Sequence, residues 1–245
     1  MRPSMLSIAL LAVVVNPGDL FVSDCAGGPA RITHVDRKTG KQTVVSNGAI
    51  STAAGGEDAL RDPSGLALDA QGNLLVADGG SVGIGPGGPS FSPGSIVRID
   101  PASGRQTTVS SNPISQAAGG AQLFSALPDL DVASDGTIYA IVSGVSPGAV
   151  VGVNPSTGAQ TLASDDATST GQGGDAGLSA PSGIAITGSQ AYVSTLAGVV
   201  RVDLQTGVQK IVSTNAISQA AGGEQDFTGP TGITLESAGS ALVTD

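Results

Sequence analysis

Arg31-Ile-Thr-His-Val-Asp-Arg-Lys-Thr-Gly-Lys-Gln-Thr-Val-Val-Ser46 is a 16-residue block that the chain uses four times. Its other copies read SIVRIDPASGRQTTVS over 95–110, AVVGVNPSTGAQTLAS over 149–164 and GVVRVDLQTGVQKIVS over 198–213. In each copy an apolar residue precedes Asp or Asn, a Ser or Thr precedes Gly, Gln follows two places later, and Ser closes the block. That order describes a strand, a polar turn and a second strand. The Asp or Asn is placed to bond forward to its own backbone, and Gly40, Gly104, Gly158 and Gly207 supply the positive φ that closes such a hairpin. The repeating unit is therefore a hairpin.

Upstream of each block lies a second strand pair. Its clearest copy is PSGLALDAQGNLLVAD at 63–78; relatives occupy 127–143, 181–195 and 230–245, and 19–24 is the second half of a fifth. Naming the four strands A to D, strand A sets large side chains around a small one, as Leu66 and Leu68 stand around Ala67. Strand B (74–77, 191–193, 241–243) is apolar on both faces, which an antiparallel sheet needs only when it is covered on both sides. Strand B thus sits between neighbouring sheets. A third recurring segment, built around Ala-Ala-Gly-Gly or a variant of it, joins strand D to the next strand A at 45–65, 109–129, 163–183 and 212–232. The closing serines fall at 46, 110, 164 and 213, which is 64, 54 and 49 residues apart. Four short strands recurring at a period of about 50 residues predict the blades of a β-propeller.

The expected fold is all-β: a propeller of four-stranded antiparallel blades, four complete plus a partial fifth. Residues 19–245 form one domain, with blades at about 19–58, 59–122, 123–178 and 179–227 and a partial one at 228–245. Residues 1–18 contain Arg2 and the apolar run 5–15. They read either as a signal-like leader or as a variant first strand, and the run is shorter than the roughly 20 residues that cross a bilayer. The partial blade leaves a strand edge with unpaired backbone groups. Either the chain is a piece of a longer protein, or that blade is completed by its own N-terminus or by another chain, and a repeated head-to-tail contact of the latter kind builds a ring or a filament.

The pattern Pro-x-Gly-apolar-Ala-apolar-Asp-x-x-Gly-Asn-Leu-apolar-Val-Ala-Asp, followed by Ile-x-Arg-apolar-Asp-x-x-Ser/Thr-Gly, is best matched over 63–104 and more loosely in the other copies. It resembles the NHL-repeat-type β-propellers of the bacterial secreted, streptogramin-lyase-like superfamily. The resemblance covers nearly the whole chain from about Asp19 and implies the fold. It does not imply a function, because such propellers include binding scaffolds, lyases and hydrolases.

Bulk composition narrows the function classes. Aromatics make up 2 % of the chain and Trp is absent, so Val, Ile, Leu and Ala must build the core. Ten basic against twenty acidic residues give a net charge of -10, which argues against nucleic acid and against adhesion to an anionic membrane. The domain itself is not expected to insert into a membrane, and a secreted, extracellular or periplasmic location fits the acidity. Cys25 is the sole cysteine; with no group nearby in sequence to lower its pKa it reads as an inert loop thiol.

Turns between A and B and between C and D fall at one end of a blade and are short. The long segments gather at the other end, where loops carry sites and strands position them. The acids expected on that ligand-binding face are Asp24 and Asp78, which end B strands, and Glu57, Asp58, Asp175 and Glu224, which follow the Gly-Gly pairs. A ring of such carboxylates would suit Ca²⁺, but solvated loop acids with local turn bonds are the favoured description, since no compact acidic loop is present; no cofactor is required. Asp129 and Asp131 stand where the preceding copy has Gly65 and Ala67, on one face of an inner strand near the channel mouth. Two such carboxylates would bind a metal or share a proton as acid-base chemistry requires, against a plain alternative of hydrated channel acids. His34, the one histidine, is expected to be exposed, so histidine-based lyase chemistry is not supported. Gln42, Gln106, Gln160 and Gln209 are expected to cap their own C-D hairpins. The first reading of function is a non-catalytic extracellular binding or structural scaffold with protein partners, either further copies of itself or a larger assembly, joined through the partial blade. The alternative is a propeller enzyme, a lyase or metal-dependent lactonase, using Asp129 and Asp131 on the loop-rich face.

Overall fold

The computed structural model describes residues 18–25, 28–85, 88–144, 147–236 and 240–245, with 81–91 described as backbone. The leader or first strand expected within 1–17 lies outside the described residues. Strands β1 (Leu20–Asp24), β2 (Arg31–Val35) and β3 (Gln42–Asn47) form the first sheet, and a short helix α1 (Gly48–Ala53) leaves it. The second sheet has strands β4 (Pro63–Leu68) and β5 (Leu74–Asp78), then an inserted hairpin of β6 (Ser81–Gly85) and β7 (Gly88–Ser92), then β8 (Ser95–Ile99) and β9 (Gln106–Ser110). After α2 (Asn112–Ala117) come β10 (Leu130–Val132), β11 (Ile138–Val142), β12 (Ala149–Val153) and β13 (Gln160–Asp165); after α3 (Asp166–Gly171) come β14 (Gly183–Thr187), β15 (Gln190–Thr195), β16 (Gly198–Asp203) and β17 (Gln209–Thr214). Helix α4 (Asn215–Ala220) leads to the last pair, β18 (Gly232–Leu235) and β19 (Ala241–Thr244).

Each sheet is an antiparallel meander, and the sheets are propeller blades. Blades 2, 3 and 4 have four strands in the order A-B-C-D, blade 1 shows B, C and D among the described residues, and blade 5 shows A and B. The innermost described strands adjoin one another in chain order, β1 beside β4, then β10, β14 and β18. A register shift recurs at the same place in each described C-D pair, where strand D inserts one extra residue, Val45, Val109, Ala163 or Val212, opposite Ile32/Thr33, Ile96/Val97, Val150/Val151 and Val199/Val200 of strand C. Bulges sharpen the strand twist that a radial blade needs.

The cores lie between blades. All five residues of β5 are buried. Leu74 and Val76 join Ile32, Val97 and Ile99 in the core between blades 1 and 2, while Leu75 and Ala77 point the other way, into a core with Leu130, Ile138, Ala140 and Val151 of blade 3. A third core packs Ile141 and Val150 against Ile184, Val193, Val200 and Val202 of blade 4. Strand B is apolar on both faces for this reason, since side chains alternate across a strand and each face meets a neighbour.

The hairpin turns form as their residues require. Asp36 Oδ1 accepts from the N–H groups of Lys38 and Thr39, both at 2.9 Å, and Asn154 and Asp203 do the same one and two blades on from Asp100. The four turn glycines have φ between +70° and +77°. The crossovers, read from sequence only as connecting segments, each contain one of the six-residue helices. Their N-caps are Asn47, Ser111, Asp165 and Thr214, each accepting from the N–H three residues on.

Candidate functional site

Asp129 precedes β10 and Asp131 lies within it, on the inner strand of blade 3. Both reach across to the inner strand of blade 4, where Asp129 Oδ2 accepts from Ile184 N–H at 3.1 Å and Asp131 Oδ2 accepts from Ile186 N–H at 2.7 Å. The other oxygen of each accepts from the next residue's own N–H, Leu130 at 2.9 Å and Val132 at 2.7 Å. Towards blade 2, the Asp129 carboxylate lies where a Cβ on Gly65 would stand, so that neighbour has to be glycine. Burial pushes the Asp129 carboxyl up to about 6, opposed by its backbone donors and reinforced by the charge of Asp131. Burial also raises Asp131. Both carboxyls have raised pKa values, and each member tethers one blade to the next.

The acids of the loop-rich end are dispersed. Asp78 is buried, its carboxylate accepting from the N–H groups of Arg61 at 2.9 Å and Asp62 at 2.6 Å, and burial raises its pKa. Asp24 pairs with Arg31 across β1 and β2. Glu57 accepts from the N–H of Thr108 at 3.0 Å and from its hydroxyl, on strand D of the following blade, and Asp175 accepts from Ile211 N–H at 2.8 Å in the equivalent place two blades on. Asp58 pairs with Arg61 at 3.4 Å on the surface, and Glu224 is exposed. Glu57 and Asp175 therefore cover outer strands, while Asp78 fastens a crossover nearer the axis. Among the described residues no three His, Cys, Asp or Glu side chains gather where they could hold a metal ion.

Two single residues are also placed. The exposed Cys25 thiol donates to Asp62 Oδ1 at 3.2 Å, and that bond raises its pKa. His34 departs from the expectation of exposure. It is half-buried, with its ring 5.3 Å from that of Phe21 and Nε2 3.4 Å from Asp19 Oδ1. The cause is that blade 1 turns this face of β2 toward the ring of its own cross-strand partner.

The glutamines correct a second expectation. Gln106, Gln160 and Gln209 do not cap their own hairpins; they clasp blade to blade, while Gln42 is exposed. Gln106 Oε1 accepts from Ala59 N–H at 2.8 Å in the crossover from blade 1, and its side-chain amide donates to Ser46 Oγ at 3.0 Å at the end of β3. Ser46 Oγ donates to Gly104 O at 2.6 Å, and Ser51 Oγ in α1 accepts from the Gln106 backbone N–H at 2.8 Å. Gln160 with Ser110, Gly158 and Ser115 repeats this between blades 2 and 3, and Gln209 with Ser164, Gly207 and Ser169 repeats it between blades 3 and 4. The sequence carried the signal, a Ser and a Gln at fixed offsets in every copy; what it lacked was which blade each one faces.

Comparison with known proteins agrees with the architecture. No family model and no curated protein sequence matches the chain. Among solved structures, the chain is similar to a gluconolactonase from Xanthomonas campestris at 17 % identity and a TM-score of 0.56, with 88 % of this chain and 62 % of that one covered. A structure of a nidogen/laminin complex matches at 13 % and 0.55, covering 88 % and 64 %, and a protein of unknown function from Bacteroides thetaiotaomicron at 13 % and 0.55, covering 93 % and 54 %. The chain thus spans less than two thirds of the length of each. At such identities the likeness concerns the fold alone, a β-propeller. No helix among the described residues is long and apolar enough to cross a membrane.

Proposed function

We propose that this chain is a non-catalytic binding or structural scaffold of the NHL-repeat propeller type, working outside the cytoplasm and engaging protein partners through its terminal blades. One observation carries the reading. The two carboxylates best suited to chemistry, Asp129 and Asp131, are both occupied by backbone N–H groups of the neighbouring blade. Each oxygen of both carboxylates already accepts one backbone N–H, one of the two on each residue from the next blade, so the pair has a structural task that a scaffold requires. The remaining acids are distributed around crossovers and outer strands. The net charge of -10 favours partners with basic or neutral surfaces over nucleic acid.

The competing reading is a lyase or metal-dependent lactonase centred on the same pair. It draws on the raised Asp129 carboxyl, near 6, which is where a general acid or base would work, and on the gluconolactonase among the similar folds. Calorimetry with Ca²⁺ and thermal melting of the wild type and of Asp129→Ala/Asp131→Ala separate the two. The scaffold reading predicts that neither protein binds Ca²⁺ and that the variant melts several degrees lower, as loss of two inter-blade acceptors at about 1–3 kcal/mol each requires. Calcium binding that the double variant abolishes at an unchanged melting temperature would establish the enzyme reading instead.

A further inference from the structure

One position recurs in blades 1 to 4 as a cross-strand pair between strands B and C: Phe21 with His34, Leu75 with Arg98, Tyr139 with Gly152, and Tyr192 with Arg201. In blades 1 to 3 the pair faces the next blade. Phe21 packs against the core between blades 1 and 2, and Tyr139 against that between blades 3 and 4, so a ring occupies this place at both junctions. Gly152 makes room for its partner, since a Cβ there would stand 3.3 Å from Tyr139 Cε1. Among the four pairs, that of blade 2 alone has no ring. Leu75 turns into the core between blades 2 and 3, and a cleft of about 580 Å³ opens beside it. Both walls of the cleft belong to four-stranded blades in the interior of the chain.

The cleft lies at the end of the blades that carries the short turns, away from the crossovers. Gln71 from the A-B turn of blade 2, Ser134 and Asp135 from that of blade 3, and Pro155 and Ser156 from the C-D turn of blade 3 line it together with Arg98. Arg98 is held by Asp69, whose Oδ2 lies 3.3 Å from its Nε. Asp69 is itself anchored by the N–H groups of Gln71 and Asn73 and by the Asn73 side-chain amide, each at 2.9 Å. Arg98 Nη2 comes 3.5 Å from Pro155 O across the junction, and Nη1 has no acceptor among the described residues. The Gln71 amide and the Ser134 and Ser156 hydroxyls also have no protein partner among the described residues. Asp135 Oδ1 accepts from Thr137 N–H at 2.9 Å, a bond that holds its carboxyl below the ordinary value and keeps it ionised.

The charges of the lining decide what it accepts. Asp69 neutralises Arg98, so Asp135 is the uncompensated charge of the cleft. An anion would be repelled by Asp135 and by a chain of net charge -10, while a cation would meet the guanidinium. The volume is in the range of small-molecule sites. What remains is a neutral ligand with donors and acceptors on every side, and a hydroxyl is both at once. We propose that the cleft between blades 2 and 3 binds a neutral saccharide. Adjacent ring hydroxyls accept from the guanidinium fork of Arg98, and a further hydroxyl donates to Asp135. Gln71, Ser134 and Ser156 complete the polar set, while Leu75 and Pro155 offer apolar surface to the C–H face of the ring. The site goes beyond the scaffold reading and uses neither the terminal blades nor Asp129 and Asp131.

Isothermal titration calorimetry of the full chain with maltose, cellobiose and lactose, and with inorganic phosphate as an anionic probe, tests the assignment. The expected result is saturable binding of at least one disaccharide at one site per chain, with no binding of phosphate. Asp135→Ala and Ser156→Trp, exposed changes that leave the core of the junction untouched, should each weaken that binding by about tenfold or more. Arg98→Lys, which keeps the charge and loses the fork, should weaken it as well. Failure of all three disaccharides to bind, binding indifferent to Asp135→Ala and Ser156→Trp, or a preference for phosphate overturns the proposal. Calcium binding and melting of Asp129→Ala/Asp131→Ala are read separately, so the saccharide site and the scaffold reading stand or fall independently.

Discussion

Gln106, Gln160 and Gln209 are buried amides with exposures of 0 %, 0 % and 1 %, and each is satisfied on both its oxygen and its nitrogen by the preceding blade. Gln42, the fourth member of the series, is exposed. Identical letters in the repeat therefore have different energetic weight, fixed by whether a neighbour stands in front of them. Asp129 is the other residue whose context decides its chemistry. Its folded-state carboxyl lies near 6, above the ordinary value of 3.8, because burial opposes its charge more than its backbone donors favour it. A folded pKa raised above the unfolded one means that the native state binds the proton more tightly. Its contribution to stability is full below about pH 4 and is lost as pH rises through about 6. Stability measured by denaturant for the wild type relative to Asp129→Ala should accordingly decline across that window, and a relative stability that rises with pH would place the carboxylate in a charge-stabilising environment.

At the level of the element, the C-D hairpin unites two separate demands on one glycine. Gly40 has φ +70° with no atom close to where a Cβ would stand, whereas Gly158 has φ +73° and would drive a Cβ into the Val109 carbonyl and the Ile114 side chain. Gly40→Ala should cost about 1 kcal/mol, the ordinary penalty for an L-residue at positive φ. Gly158→Ala should cost at least about 2 kcal/mol more, because blades 2 and 3 must also move apart. Urea denaturation of the two variants checks the contrast, and equal costs would mean that the blades do not press on this turn. The strand and turn parts of the repeat were legible from alternation, Asx residues and glycine. The helices α1 to α4 were not, since six residues are too short to show a 3.6-residue period. Their one local signal was a capping Asn, Ser, Asp or Thr three residues ahead of Ile50, Ile114, Thr168 and Ile217.

Across the whole molecule, the propeller architecture was legible because strand B is apolar on both faces and the repeat recurs at blade spacing. The candidate site was only half legible. The sequence singles out Asp129 and Asp131 as two carboxylates on one face of an inner strand. That they accept from Ile184 and Ile186 some 55 residues later depends on how one blade leans on the next, and nothing local encodes it. The same holds for His34, whose cover comes from Phe21 across the strand and from Asp19. Polar side chains that look available in the sequence are largely committed to holding blades together.

The rule is tested most directly by a double-mutant cycle across the junction of blades 2 and 3, with Ser110→Ala, Gln160→Ala and the pair measured by chemical denaturation. The two side chains are 50 positions apart in the chain and meet at 3.2 Å. The account predicts that each single change costs about 1–3 kcal/mol and that the pair costs less than their sum by about 1 kcal/mol or more. Strictly additive costs would mean that the serine and the glutamine do not meet, and would contradict a fold held together by clasps between blades.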